Sequence, residues 1–322
     1  MCRWACRCAW SGAPANVAAA PPPLSVRFMV QMAPCWRRLR RFWWMSPMRW
    51  WARWTWRLWV GKCMRRPMMI REYYRPKTLQ EALELLARDG LPTLPMGGGT
   101  VLSSPSAEAY AVVDLQELGL DGLEVKGNVL HLGATVTLET LLGVAGLPEA
   151  LQRAIRQEAS YHIRQVASVA GALAAADGRS PFACAMLALD ASLEIVQLTS
   201  QEKVYLGDWL PLRRQQGRGR LITRVSLPLN ARLAYESVSR TPADLPIVCA
   251  AAARWHSGRT RLALGGFGDA PRLVLDGPEA DGAEQAARDA YSQAGDEWAS
   301  AEYRAEMAAT LTRRCLQQLN GA

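Results

Sequence analysis

The chain has 322 residues, half of them hydrophobic, and a formal net charge of +9, which gives length for two or three domains and apolar residues for a sizeable core. The charge is unevenly spread: residues 1–68 hold 13 of the 38 Lys and Arg and none of the 29 Asp and Glu, leaving 25 basic against 29 acidic groups in the remainder. A net of −4 over that main body excludes a basic nucleic-acid-binding face as its organising feature. The cysteines divide in the same way. Cys184, Cys249 and Cys315 lie far apart in the body, a spacing that excludes a disulfide framework or a cysteine metal site and reads as lone buried thiols in a reducing cytoplasm. His131, His162 and His256 are also scattered, which excludes a histidine-rich metal centre.

Residues 1–68 hold ten of the thirteen tryptophans and the run Pro21-Pro22-Pro23. Arginines recur every few residues, so the segment is no transmembrane span, and it lacks the clean apolar stretch of a signal peptide. Its composition admits a membrane-surface helix or a stacking, phosphate-binding arm. Cys2, Cys6 and Cys8 have no second pair nearby to complete a zinc site. The expectation adopted here is that this is non-native upstream sequence ahead of a native start at Met69. Arg, Trp, Cys, Pro and Ala are what GC-rich DNA yields when read out of frame.

From Met69 the pattern becomes regular. Met69 to Tyr74 reads as a strand closed by Pro76. Thr78 and Glu81 form a capping box ahead of Leu79, Ala82, Leu83, Leu85 and Leu86 at helical spacing, and Gly90 stops that helix. Thr93 to Met96 is a second strand, followed by Gly97-Gly98-Gly99-Thr100. Consecutive glycines allow backbone N–H groups to turn inward around an anion, although such a run also serves as a plain flexible loop. Ala111 to Leu115 completes a βαβ unit, with the glycine loop at the carboxyl end of a strand, where ligands sit in α/β folds.

Strands follow at 123–125 and 129–134, with His131 expected on a solvent face. Helices follow from Thr137 to Leu142 and from Pro148 to Glu158. Ile163 to Asp177 is rich in small residues. It reads as an alanine-rich core helix, or as backbone that something large must approach. Pro181 to Asp190 reads as a buried helix, Leu193 to Leu198 as a strand, Arg213 to Arg220 as a loop and Leu221 to Pro228 as a strand. A domain boundary is expected at Pro228 to Arg232. Beyond it, Ile247 to Trp255 and Arg259 to Leu264 alternate as an antiparallel pair turned by Ser257-Gly258. Residues 280–294 and 300–319 are helical in pattern. Arg313 and Arg314 are expected near the last carboxyl end, where the dipole favours cations.

Together these stretches resemble the FAD-binding, medium subunit of the molybdenum hydroxylases, the carbon monoxide dehydrogenase and xanthine dehydrogenase-like enzymes. Tyr74-Arg75-Pro76 with Leu79, Glu81, Ala82 and Leu83 resembles the family's opening. Met96 to Thr100 resembles its first flavin motif, and Leu132-Gly133-Ala134-Thr135 its Ile-Gly-Ala-Thr strand. Ile163-Arg164 through Ser168-Val169-Ala170-Gly171 resembles its second motif. Tyr235 to Arg240 with Asp244 and Ala301 to Arg304 resemble two later elements. The resemblance covers nearly all of 69–322 and none of 1–68.

The resemblance implies an α+β fold. A two-subdomain FAD-binding domain at 69–228, a small βαβ part plus a larger α+β part, precedes a C-terminal domain at 232–322 with a three-stranded sheet and a helical bundle. It implies that FAD binds at Met96, Gly97, Gly98, Gly99, Thr100, Ser168, Ala170, Gly171 and Ala172, with Leu221 or Ile222 near the flavin ring. It implies a cytoplasmic heterotrimer with a molybdopterin-containing large subunit and a 2Fe-2S small subunit, passing electrons to NAD, a quinone or oxygen. No catalytic side chain, metal ligand, nucleic-acid partner or membrane span is expected. Ala170 stands where the family has glycine, Ala172 where it has asparagine, and Pro181 where it often has aspartate. A lysine often found soon after the Tyr235 position is absent. These departures keep a second reading in view: a flavin-poor assembly subunit of such a complex.

Overall fold

The computed structural model describes residues 70–104, 108–215 and 217–321; the expectation for residues 1–68 lies outside them. Three sheets carry the chain. β1 (Ile70–Tyr74), β2 (Thr93–Met96) and β3 (Tyr110–Asp114) form a small parallel sheet in the order β1-β3-β2. The crossover α1 (Leu79–Ala87) is capped by Thr78, whose hydroxyl accepts from Glu81 N–H at 3.3 Å. Glu81 reaches back to Lys77 N–H at 3.2 Å, one residue ahead of the cap itself. Ala82, Leu83 and Leu86 then bury against Val113 and Leu115.

The second sheet is antiparallel, in the order β4-β5-β8-β6-β7: β4 (Leu123–Lys126), β5 (Val129–Gly133), β6 (Ser192–Val196), β7 (Gln201–Tyr205) and β8 (Leu221–Pro228). Alternation sends Leu130 and Leu132 into the core and leaves His131 between them. His131 is half-buried, and its Nδ1 lies 2.8 Å from Ser226 Oγ on β8. The expected open solvent face is thus a cross-strand polar pair. Around this sheet pack α2 (Leu138–Leu142), α3 (Glu149–Glu158), α5 (Val169–Ala175), α6 (Pro181–Ala188) and α7 (Leu206–Leu212), with the single turn α4 (Tyr161–Arg164) between α3 and α5 in the chain.

The third sheet runs β12-β11-β10-β9, from β9 (Ala231–Val238), β10 (Val248–Trp255), β11 (Thr260–Gly265) and β12 (Arg272–Gly277). It therefore has four strands, one more than the family resemblance implies. Its central strands β10 and β11 are buried on both faces. Cys249, Ala251 and Ala253 join the core around α6. Val248, Ala250 and Ala252 meet the residues of α8 (Ala283–Ala290) and α9 (Ala301–Gly321). Small side chains along β10 let helices approach from both sides. Helix α9 continues to Gly321, so Arg313 sits two turns inside it and pairs with Glu284 of α8 at 2.7 Å instead of serving its last turn. Cys184, Cys249 and Cys315 are buried and free. Among the described residues no helix is long and apolar enough to cross a membrane.

Helix α6 is buried along its whole length. Its two ends are held by charged side chains of matching sign. At the amino end, Glu158 Oε2 accepts from Ser180 Oγ at 2.8 Å and Phe182 N–H at 3.0 Å. At the carboxyl end, Arg261 donates to the Leu187 carbonyl at 3.3 Å. Asp190, which follows at φ 57°, pairs with Arg261 at 2.9 Å. Burial pushes the Glu158 carboxyl up to about 7, helped by Asp177 and opposed by its two donors. Its protonated form is thus favoured in the folded state. That stabilisation is full below the ordinary value of 4.5 and is lost as pH rises through about 7. Glu158→Gln keeps an acceptor for both donors and cannot ionise. Between pH 5 and pH 8 the wild type should lose roughly 2 kcal/mol more stability than this variant, measured by chemical denaturation.

Candidate functional site

The glycine loop leaves β2 at Met96. Its entry is fixed from β3, which runs parallel and places Asp114 opposite Met96. Asp114 is 3% exposed. It accepts from Tyr73 Oη and from Gln116 N–H at 3.0 Å. The bond to Asp114, then burial, holds the Tyr73 phenol above its usual range. In the turn that Asp114 shapes, Leu115 N–H donates to the Met96 carbonyl at 3.0 Å.

Beyond Met96 the chain turns through Gly99 at φ +67°, a conformation that disfavours any side chain. The Gly99 carbonyl is taken by Ser103 N–H at 3.0 Å and Ser103 Oγ at 2.6 Å. The N–H groups of Gly98, Gly99 and Thr100 donate to no backbone carbonyl of the described residues. The loop therefore closes on its acceptor side and keeps its donors available.

Gly98 meets the second stretch directly. A Cβ at this position would overlap the Val166 carbonyl oxygen and carbon. A Cβ at Gly97 would overlap Ser168 Oγ. The two small-residue motifs, distant in sequence, are thus packed backbone on backbone. Ser168 is 5% exposed and performs several tasks. Its hydroxyl caps α5 by accepting from Gly171 N–H at 3.2 Å, and a Cβ on Gly171 would lie 2.7 Å from that oxygen. Its backbone bridges Thr137, and Ala172 N–H donates to its carbonyl at 2.8 Å. Neighbouring bonds tie the segment to α2: Leu138 N–H donates to Ala167 O at 2.9 Å and Val169 N–H to Val136 O at 2.8 Å.

Met96 to Thr100 and Ala172 are half-buried, Gly171 is exposed and Ala170 is 7% exposed. Leu221 is 3% exposed and packs with Ala82, Leu83, Leu86, Val113 and Leu115. Ile222, next to it, is half-buried against the larger core. Val166, Asp114 and Ser103 were not singled out from sequence. Val166 acts through its carbonyl, which leaves no mark on residue type. Gly133 of the Ile-Gly-Ala-Thr-like strand has a comparable packing role, since a Cβ there would overlap the Leu120 carbonyl.

Residues 67–230 match the family model described as the FAD binding domain in molybdopterin dehydrogenase. The chain belongs to this family. An uncharacterized Escherichia coli protein, YgfM, is 29% identical over 201 residues, 62% of this chain and 75% of that one. The carbon monoxide dehydrogenase medium chain of Afipia carboxidovorans is 25% identical over 279 residues, 77% of this chain and 96% of the relative. The nicotinate dehydrogenase FAD-subunit of Eubacterium barkeri is 31% identical over 144 residues, 41% and 49% of the two chains. The solved CO dehydrogenase from Oligotropha carboxidovorans superposes with a TM-score of 0.67 at 25% identity, covering 76% of this chain and 96% of that one.

FAD is accordingly the cofactor of this subunit, and the protein is a component of an oxidoreductase. The loop fits that cofactor by its own chemistry. Undonated N–H groups on a glycine turn, with hydroxyls close by, suit the dianionic pyrophosphate. A methyl at Gly98 tests the packing. Gly98→Ala forces the two motifs apart and should cost about 1–3 kcal/mol, the range for overpacked sites, seen as a lowered melting midpoint.

Proposed function

We propose that this chain is the electron-transfer flavoprotein subunit of a multisubunit molybdenum hydroxylase. On this reading residues 69–228 form the FAD-binding domain and 232–322 the C-terminal domain. Met96, Gly97, Gly98, Gly99 and Thr100 form one half of a clamp; Ser168, Ala170, Gly171 and Ala172 form the other. Leu221 or Ile222 packs near the flavin ring. The observation that carries the reading is the seating of Gly98 on the Val166 carbonyl. It brings the two motifs into backbone contact, which supports a single pyrophosphate reaching both.

The chain's work is to bind and orient. Gly98, Gly99 and Thr100 offer backbone donors, and Thr100 adds a hydroxyl. Ser168 accepts from Gly171 N–H in the α5 cap and keeps its O–H proton for an acceptor. Bound FAD supplies the redox chemistry, taking up electrons and releasing them to a second acceptor. Electrons arrive from a 2Fe-2S small subunit, which receives them from a molybdopterin large subunit. The acceptor is NAD, a quinone or oxygen, and the complex is a cytoplasmic heterotrimer. Similarity to the medium chain of CO dehydrogenase and the FAD-subunit of nicotinate dehydrogenase supports these partners.

The test is the absorption spectrum of the protein purified from its host. Flavin bands near one FAD per chain are expected, together with co-purification of a molybdopterin and an iron–sulfur subunit. A chain that co-purifies with those subunits yet takes up no flavin, even after added FAD, would overturn the redox role. The assembly-subunit reading, favoured by Ala170 and Ala172, would then stand.

A further inference from the structure

The second half of the clamp has an unusual anchor. The turn α4 (Tyr161–Arg164) contributes no buried residue. Tyr161, Ile163 and Val166 are 57%, 43% and 48% exposed. Apolar burial therefore fixes the segment that presents the Val166 carbonyl to Gly98 only on its C-terminal side, through Ala167 and Val169. Arg164 holds the N-terminal side. Its side chain is only 12% exposed. Nε donates to Glu139 Oε2 at 2.8 Å and Nη1 to the Ala159 carbonyl at 2.8 Å. The guanidinium also lies 5.9 Å from the Tyr161 ring centroid. One fork thus ties both sides of the turn to α2, which already holds Ala167 through Leu138 N–H.

Resting on the FAD-clamp reading, we infer that Arg164 and Glu139 are positioning residues that set the spacing between the two halves of the flavin site. Neither supplies a donor to the glycine loop. They act by fixing where Val166 and Ser168 stand relative to Gly97 and Gly98. A planar fork with two fixed acceptors suits this task, whereas a lysine would keep the charge and lose the geometry.

The experiment uses the full chain stripped of flavin and titrated with FAD, at a temperature where each variant is folded. Arg164→Met should weaken FAD binding by about tenfold to a hundredfold, the scale seen when outer partners of a ligand site are removed. At saturating FAD the visible circular dichroism of the bound flavin should also change, which a loss of overall stability alone would not produce. Gly98→Ala is the control for the clamp. Native FAD affinity and dichroism in Arg164→Met, with binding lost in Gly98→Ala, would overturn the positioning role and leave the clamp standing. Native binding in Gly98→Ala would overturn the clamp reading itself. If Arg164→Met does not fold, Glu139→Gln decides: weakened FAD binding is expected, and native affinity would reject the inference.

Discussion

Everything at the site depends on the space that is missing beside Gly98. The Val166 carbonyl occupies the place a side chain would take. No side chain mediates the contact, so its geometry follows from backbone paths alone. One path is set by parallel pairing of β2 with β3 and by the turn that Asp114 shapes. The other is set by the Thr137–Ser168 bridge, the Ser168 cap and the Arg164 fork. The first path belongs to the small parallel sheet, and the second runs among the helices packed on the larger antiparallel one. A rigid junction of this kind lowers the ordering cost of binding, because the donors are in place before a ligand arrives.

Helix α6 plays the same organising part for the larger body. It has no polar face, so propensity and amphipathicity do not place it. Burial on all sides does, with Glu158 and Arg261 satisfying its two ends. Arg261 also meets Asp276 at 2.7 Å, which links α6 to the strand pair β11 and β12. The charged ends suit the helix dipole, but the low dielectric that strengthens them also raises the Glu158 carboxyl. A structural cap in the core thereby couples this fold's stability to pH near neutrality.

Much of the fold was legible because local chemistry and global packing agree. The Thr78 cap, the Ser257-Gly258 turn, the βαβ order and the fully apolar α6 all follow from short-range rules. Several elements escaped, the single turn α4 among them. β7 alternates exposed and half-buried residues at a sheet edge, and its Gln, Glu and Lys hide the strand pattern. α7 contains Pro211 inside its last turn, which argues against a helix in any sequence reading. β9 begins at Ala231, inside the stretch read as a domain boundary. β12 carries no buried residue, so it has no hydrophobic alternation to betray it. For the site, the donor loop was visible in its glycines. Its partner carbonyl was not, since any residue type can offer one. Arg164 was visible only as part of a motif; the fork that gives it meaning joins it to Glu139, on a different helix.

The proposed clamp also contains no cation. The body is mildly acidic and the pyrophosphate would be dianionic, so attraction has to come from oriented local dipoles. This bears on the departures from the family pattern. A backbone nest is indifferent to side chains that do not block it. Ala170 is packed inward at 7% exposure, which keeps its methyl among the core residues. Ala172 lacks an amide side chain, yet its N–H is already engaged by Ser168 in holding α5. On the proposed reading, the side-chain contact those positions would give is absent from one half. The backbone donors of Gly98 to Thr100 and the junction at Val166 remain, and a backbone nest depends on these first.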